Sequence, residues 1–205
     1  MKQSKFAWIA LACSLAACGV EDGDQPSDET LGVAPQALGV EPGFAVASSA
    51  ARGELSQALL ALNLASFQNG KSNRCIGVDG ASTANGALIK QFTCDGTSNQ
   101  NWLGSGNSNA QNVVTNSKSS KCMGVSGASK TAGANVAQFT CDGTSNQIWL
   151  LTLVGGTATN PVLTFQNVNS NMCLGVDGAS TANGAQLKQF PCDGTLNQEW
   201  RFIPR

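Results

Sequence analysis

What most constrains this chain is a pattern written three times. Residues 75–102 read CIGVDGASTANGALIKQFTCDGTSNQNW, and residues 173–200 match them at 22 of 28 positions. Residues 122–149, CMGVSGASKTAGANVAQFTCDGTSNQIW, match the first copy at 19 of 28. Copies one and three are thus closer to each other than to copy two, and a function carried by the repeat should follow that division. A unit this short cannot bury an apolar face alone, so the three copies are expected to share one core.

Each copy holds two cysteines spaced by 19, Cys75/Cys94, Cys122/Cys141 and Cys173/Cys192. Six cysteines admit many connectivities, but a repeated unit selects the pairing that every copy can make within itself. Three intra-repeat disulfides follow, each closing a loop of about 20 residues and contributing roughly 3 kcal/mol on the chain-entropy argument. Zinc, the rival use of paired cysteines, is disfavoured because the chain has no His and no C-x-x-C spacing. No metal and no cofactor are expected.

Short β-prone runs flank each copy. Ala65–Gln68, Asn112–Thr115 and Val162–Phe165 precede them, and Trp149–Leu153 and Trp200–Ile203 follow. The unit therefore reads as a strand, a strand through the first Cys, a Gly-rich loop, a strand ending at Phe-x-Cys, a D-G-T turn and a strand through Trp. Four strands in three repeats give twelve, an all-β fold. A closed, threefold barrel limits exposed strand edges, and 23 Gly suit the tight turns it needs. The repeats are bounded at about 61–107, 108–157 and 158–205.

Residues 1–17 read as a signal peptide: Lys2 and Lys5, then an apolar run from Phe6 to Ala17 too short to span a bilayer. The run ends in Leu15-Ala16-Ala17-Cys18-Gly19, which resembles a bacterial lipobox. The resemblance implies acylation of Cys18, an exported chain tethered to the membrane only by lipid, and, with Gly19 after the Cys, an outer-membrane or cell-surface location. The alternative is ordinary secretion after cleavage at Ala17. Either places the cysteines where disulfides persist. Residues 18–44 read as a flexible acidic tether. Residues 45–60 read as a short helix or spacer, the apolar stripe of Leu55, Leu59 and Leu62 running on towards Leu64.

Each copy closes on Gln-x-Trp: Gln100-Asn101-Trp102, Gln147-Ile148-Trp149 and Gln198-Glu199-Trp200. Three such motifs in register with three cysteine pairs resemble the ricin B-type lectin family. The resemblance covers residues 61–205 and implies a β-trefoil: three four-stranded repeats with pseudo-threefold symmetry and one disulfide each. Within it Trp102, Trp149 and Trp200 are expected in the shared core. Gln100, Gln147 and Gln198 are expected to satisfy backbone groups where strands turn.

The same resemblance places a shallow sugar site in each repeat, with an aromatic platform two residues before the second Cys. Phe92, Phe139 and Phe190 hold that position, and the family Asn before Q-x-W is kept as Asn99, Asn146 and Asn197. The family Asp two residues after the first Cys is replaced by Gly77, Gly124 and Gly175. The family Gln on the third strand is replaced by Lys90, Ala137 and Lys188. Asp79 and Asp177 offer a carboxylate two residues further on, and a two-residue step along a strand keeps one face. Two like sites are expected, Asp79/Lys90/Phe92/Asn99 and Asp177/Lys188/Phe190/Asn197, with a weaker one at Phe139 and Asn146, where Ser126 and Ala137 stand instead. The competing reading makes Asp79-Gly80 and Asp177-Gly178 plain turn residues.

Other function classes find little support. The chain from residue 61 carries nine bases against six acids, scattered and without interleaved aromatics, so nucleic acid is not an expected partner. Without His, a Ser or Cys nucleophile lacks its commonest base, and Asp95, Asp142 and Asp193 recur in D-G-T as turn residues. The expected function is non-catalytic carbohydrate binding. The alternative keeps the fold for protein recognition, as an adhesin-like or inhibitory surface module.

Overall fold

A computed structural model describes residues 64–107, 110–157 and 159–205. The expected signal peptide, Cys18, the tether and the helix at 45–60 lie outside the described residues. The first repeat supplies strands β1 (Leu64–Asn69), β2 (Cys75–Val78), β3 (Ile89–Phe92) and β4 (Trp102–Gly106). The second supplies β5 (Gln111–Asn116), β6 (Cys122–Val125), β7 (Val136–Phe139) and β8 (Ile148–Gly156). The third supplies β9 (Pro161–Asn167), β10 (Cys173–Val176), β11 (Leu187–Phe190) and β12 (Trp200–Pro204). These are the twelve strands expected. Leu64 opens β1, so the apolar stripe of 45–64 does not run on to that residue as helix; its register with Leu103 across the sheet fixes it as a strand.

The first and fourth strands of each repeat close a six-stranded barrel, pairing in the cycle β1-β4-β5-β8-β9-β12. The second and third strands form three hairpins, β2-β3, β6-β7 and β10-β11. This is a β-trefoil. Trp102, Trp149 and Trp200 are fully buried, and each indole N–H donates to a hairpin carbonyl, that of Ile76, Met123 or Leu174, at 3.0–3.2 Å. Burying each indole while satisfying its one donor makes this layer of the core symmetric. The neighbouring layer is not. Phe67 meets Phe165 edge-on at 4.9 Å and Phe202 at 5.9 Å, whereas the second repeat offers the smaller Val114 and Leu151 to the same core.

The disulfides pair as the repeat dictated, Cys75–Cys94, Cys122–Cys141 and Cys173–Cys192. Each Q-x-W glutamine bridges the loop after its second Cys. Gln100, for example, accepts from the Asp95 N–H at 3.1 Å and donates to the Thr93 carbonyl at 2.9 Å.

The repeats are joined by a second set of glutamines, on the third strands. Gln91, Gln138 and Gln189 are fully buried, yet each makes three hydrogen bonds. Gln91 donates to the carbonyls of Ser180 and Ala182, Gln138 to those of Ser82 and Ala84, and Gln189 to those of Ser129 and Thr131. Each accepts from a serine hydroxyl, Ser72, Ser119 or Ser170, at 2.6–2.7 Å. Repeat one thus grips the loop of repeat three, two grips one, and three grips two. Buried Asn69, Asn116 and Asn167 add parallel bonds, donating to the main-chain carbonyls of Asn197, Asn99 and Asn146.

Replacing Gln138 by Leu removes three hydrogen bonds, those to the Ser82 and Ala84 carbonyls and that from the Ser119 hydroxyl. Hydrogen bonds of this kind are worth about 1 kcal/mol each, so Gln138→Leu should lower unfolding stability by about 2–4 kcal/mol in guanidinium titration. A change under about 0.5 kcal/mol, the scale of an ordinary surface substitution, would show that the clamp does not join the repeats.

Candidate functional site

In the third repeat the β10-β11 hairpin sets Cys173 opposite Phe190 and Gly175 opposite Lys188. Phe190 and Lys188 therefore share a face, as the alternation along a strand requires. A Cβ placed on Gly175 would lie 3.1 Å from Gln198 Cγ, 3.3 Å from Phe190 Cδ2 and 3.4 Å from Asn197 Nδ2. The first repeat repeats this: at Gly77 the distances are 3.0 Å to Gln100 Cγ, 3.0 Å to Phe92 Cδ2 and 3.6 Å to Asn99 Nδ2. The phenyl ring packs against the glycine, in the space where an aspartate stem would stand. Glycine and the seated ring fit together, and a side chain at 77 or 175 would push the ring and the glutamine stem back by a few tenths of an ångström.

Asp79 and Asp177 do not continue the strands. β2 ends at Val78, and Asp79 begins a left-handed turn with Gly80 at φ 58° and Ala81 at φ 49°. The Ser82 N–H closes it on the Asp79 carbonyl at 3.2 Å. The two-residue step that assumed a strand through Asp79 therefore fails; the D-G turn signal is what the backbone follows. The side chain nevertheless reaches the third strand: Asp79 Oδ2 lies 2.7 Å from Lys90 Nζ, and Asp177 Oδ2 lies 2.8 Å from Lys188 Nζ. Both pairs are part-exposed, so each contributes under about 1 kcal/mol. Ser126 and Ala137 hold the two positions in repeat two.

A cavity of about 490 Å³ opens beside Phe190, walled by Gly178 and Ala179 on the turn and by Asp193, Thr195 and Asn197 after the disulfide. Its size lies within the ordinary range for small-ligand clefts. Its carboxylate is Asp193; the Asp177–Lys188 pair is not among the lining side chains. Asp193 Oδ1 accepts from the Thr195 N–H at 2.9 Å and from its hydroxyl at 2.7 Å. That hydroxyl lies 2.5 Å from Asn197 Oδ1. The D-G-T turn is therefore a turn and also a positioned acceptor, a role its sequence signal conceals. Asp95, Thr97 and Asn99 make the same chain in repeat one.

Repeat two departs at the asparagine. Asp142 keeps its bonds to Thr144, but Asn146 turns its amide to the Val125 carbonyl at 3.1 Å. The structure thus brings Phe92 with Asn99 and Phe190 with Asn197, and withdraws Asn146 from Thr144 while Phe139 packs on Gly124.

Twelve strands around a pseudo-threefold axis, six of them closed as a barrel, define a β-trefoil domain, with a cleft beside Phe190 in its third repeat. The sequence matches the family described as ricin-type beta-trefoil lectin domain-like over residues 61–139, 104–160 and 145–205, and the chain belongs to that family. No curated protein matches the chain. Among solved structures it is similar to the designed threefold-symmetric protein ThreeFoil, at 30% identity and a TM-score of 0.65 over 68% of this chain and 97% of that one. It is also similar to an exo-beta-1,3-galactanase from Clostridium thermocellum, at 25% identity and a TM-score of 0.66 over 70% of this chain and 30% of that enzyme. A Macrolepiota procera ricin B-like lectin, solved with lactose, shares the fold at 15% identity and a TM-score of 0.58, over 69% of this chain and 95% of the lectin.

The bonds from Thr97, Thr144 and Thr195 hold the carboxyls of Asp95, Asp142 and Asp193 below the ordinary aspartate value of 3.8. For a carboxyl lowered by folding, the stabilisation is fully present above the unfolded value and is lost as pH falls through the folded one. Carbon-detected NMR titration should therefore place all three below 3.8, with Thr195→Val raising Asp193 alone and stability declining on acidification below that pH. Titration at or above 3.8 would contradict the hydrogen-bonded geometry.

Proposed function

We propose that this protein is a non-catalytic carbohydrate-binding module, exported and held at the outer membrane or cell surface by a lipid on Cys18, with working sites in repeats one and three. The observation that carries the reading is the cleft beside Phe190, where an apolar ring faces a charged carboxylate and an amide fixed by one threonine. A pyranose offers an apolar C–H face to stack on such a ring and paired hydroxyls for the polar groups. Asp193 Oδ2 has no protein donor among the described residues and suits a sugar hydroxyl; Asp95 has the matching place in repeat one. Lys188 and Lys90, on the platform face of their strands, form ion pairs with Asp177 and Asp79 that flank the two sites. Asn146, bonded to Val125, supports a weak or silent second repeat.

Two shallow sites on one rigid domain gain strength by engaging a polysaccharide together. Isothermal titration of the chain against galactosides, mannosides and xylo-oligosaccharides should give about two sites. Phe92→Ala with Phe190→Ala should abolish binding while the disulfides and the near-ultraviolet tryptophan signal persist. Asp193→Asn should weaken the repeat-three site roughly 10- to 100-fold, the worth of a hydrogen bond to a charged acceptor. Full binding by the double Phe variant would refute the platform assignment. Radiolabelled palmitate should enter the wild-type chain and not Cys18→Ser. The glycines at 77, 124 and 175 favour a second reading, protein recognition, because they replace the family carboxylate; silence across a glycan array would select it.

A further inference from the structure

At the hairpin end of the trefoil, the third strands meet around the pseudo-threefold axis. Leu88 bridges Ala137, Asn135 bridges Lys188, and Gln186 bridges Lys90. These are one pair written three times, so the ring closes on itself. Inside it, Ile89, Val136 and Leu187 are equivalent residues of the three repeats. Their carbonyl oxygens converge on a single atom, Gln186 Nε2, at 3.0, 3.2 and 2.8 Å.

The fit of that amide is poor at both ends. Its nitrogen carries two protons and faces three acceptors. Its oxygen, Oε1, is buried and has no partner among the described residues. Turning the amide over alone would set a fourth oxygen against three and worsen matters. Turning it over around a cation would satisfy all four oxygens at once.

We infer that this axial ring is a site for an alkali cation, sodium or potassium, with the carbonyls of Ile89, Val136 and Leu187 and the Gln186 Oε1 as ligands and water completing the shell. Rings of backbone carbonyls bind such ions by replacing their hydration oxygens. The four donors are neutral, which favours a single charge, whereas calcium sites draw on carboxylates. The lysines bordering the ring, Lys90 and Lys188, are turned to Asp79 and Asp177 and neutralised there. Gln186 stands where repeat one has Leu88, so the ring accommodates a leucine at this position.

The test is thermal unfolding of the full chain at matched ionic strength in sodium, potassium, calcium and choline chloride. Sodium or potassium should raise the melting temperature saturably, by several degrees over choline. Gln186→Leu should fold and lose that difference, and Gln186→Glu should acquire a calcium dependence that the wild type lacks. Sodium-23 relaxation of the wild type should show excess broadening that potassium displaces, a readout that stands even if a variant fails to fold. Equal melting in choline and both alkali salts with no excess relaxation, or an alkali shift surviving in Gln186→Leu, would overturn the site. Stabilisation by calcium alone would overturn the alkali assignment.

Discussion

Each repeat's third-strand glutamine reaches out of its own unit, and the other features of the domain follow from that reach. Gln91, Gln138 and Gln189 are buried amides whose hydrogen bonds end on loops of other repeats. A buried amide left unpaired is costly, so the assembled trefoil is the state in which these groups are satisfied. The clamp also builds the clefts. Gln91 of repeat one fixes the carbonyls of Ser180 and Ala182, just beyond the Gly178-Ala179 wall of the repeat-three cavity. A binding site in one repeat is thus shaped by its neighbour, and the carbonyl ring around Gln186 closes by the same cyclic pairing.

The site itself depends on a coupled exchange. Where relatives by resemblance carry an aspartate, this chain has glycine, and the phenyl ring of the same repeat settles against it. A carboxylate, Asp193, lines the cleft with its geometry fixed by Thr195. The ion pair of Asp177 with Lys188 flanks this arrangement without lining it.

Much of the scaffold was legible because it repeats. Repetition of the same cysteine spacing in three units selects the disulfides, and Q-x-W marks both the strand ends and the core tryptophans. Gln91, Gln138 and Gln189 were equally visible as a glutamine kept before each phenylalanine, but nothing local distinguishes a clamp from a solvated amide; the partners lie more than 50 residues away. Asp79 meets Lys90 as the sequence grouping has it, but periodicity alone continues the strand through Asp79, and here two left-handed residues end it. D-G-T signals a turn, and the turn is there, while the carboxylate oxygen of Asp193 that has no protein donor among the described residues is legible only beside the cleft. The rotation of Asn146 towards Val125 has no sequence signal, since Asn99 and Asn197 are the same residue in the same motif.

In the function proposed, repeats one and three bind sugar and repeat two does not. The most direct measurement is an amide nitrogen–proton NMR titration of the chain with the oligosaccharides that bind it, read residue by residue. Saturable shifts should cluster at Phe92, Asn99, Phe190, Asp193 and Asn197, with Phe139 and Asn146 unmoved. Shifts centred on Phe139 and Asn146, or spread equally over the three repeats, would contradict it.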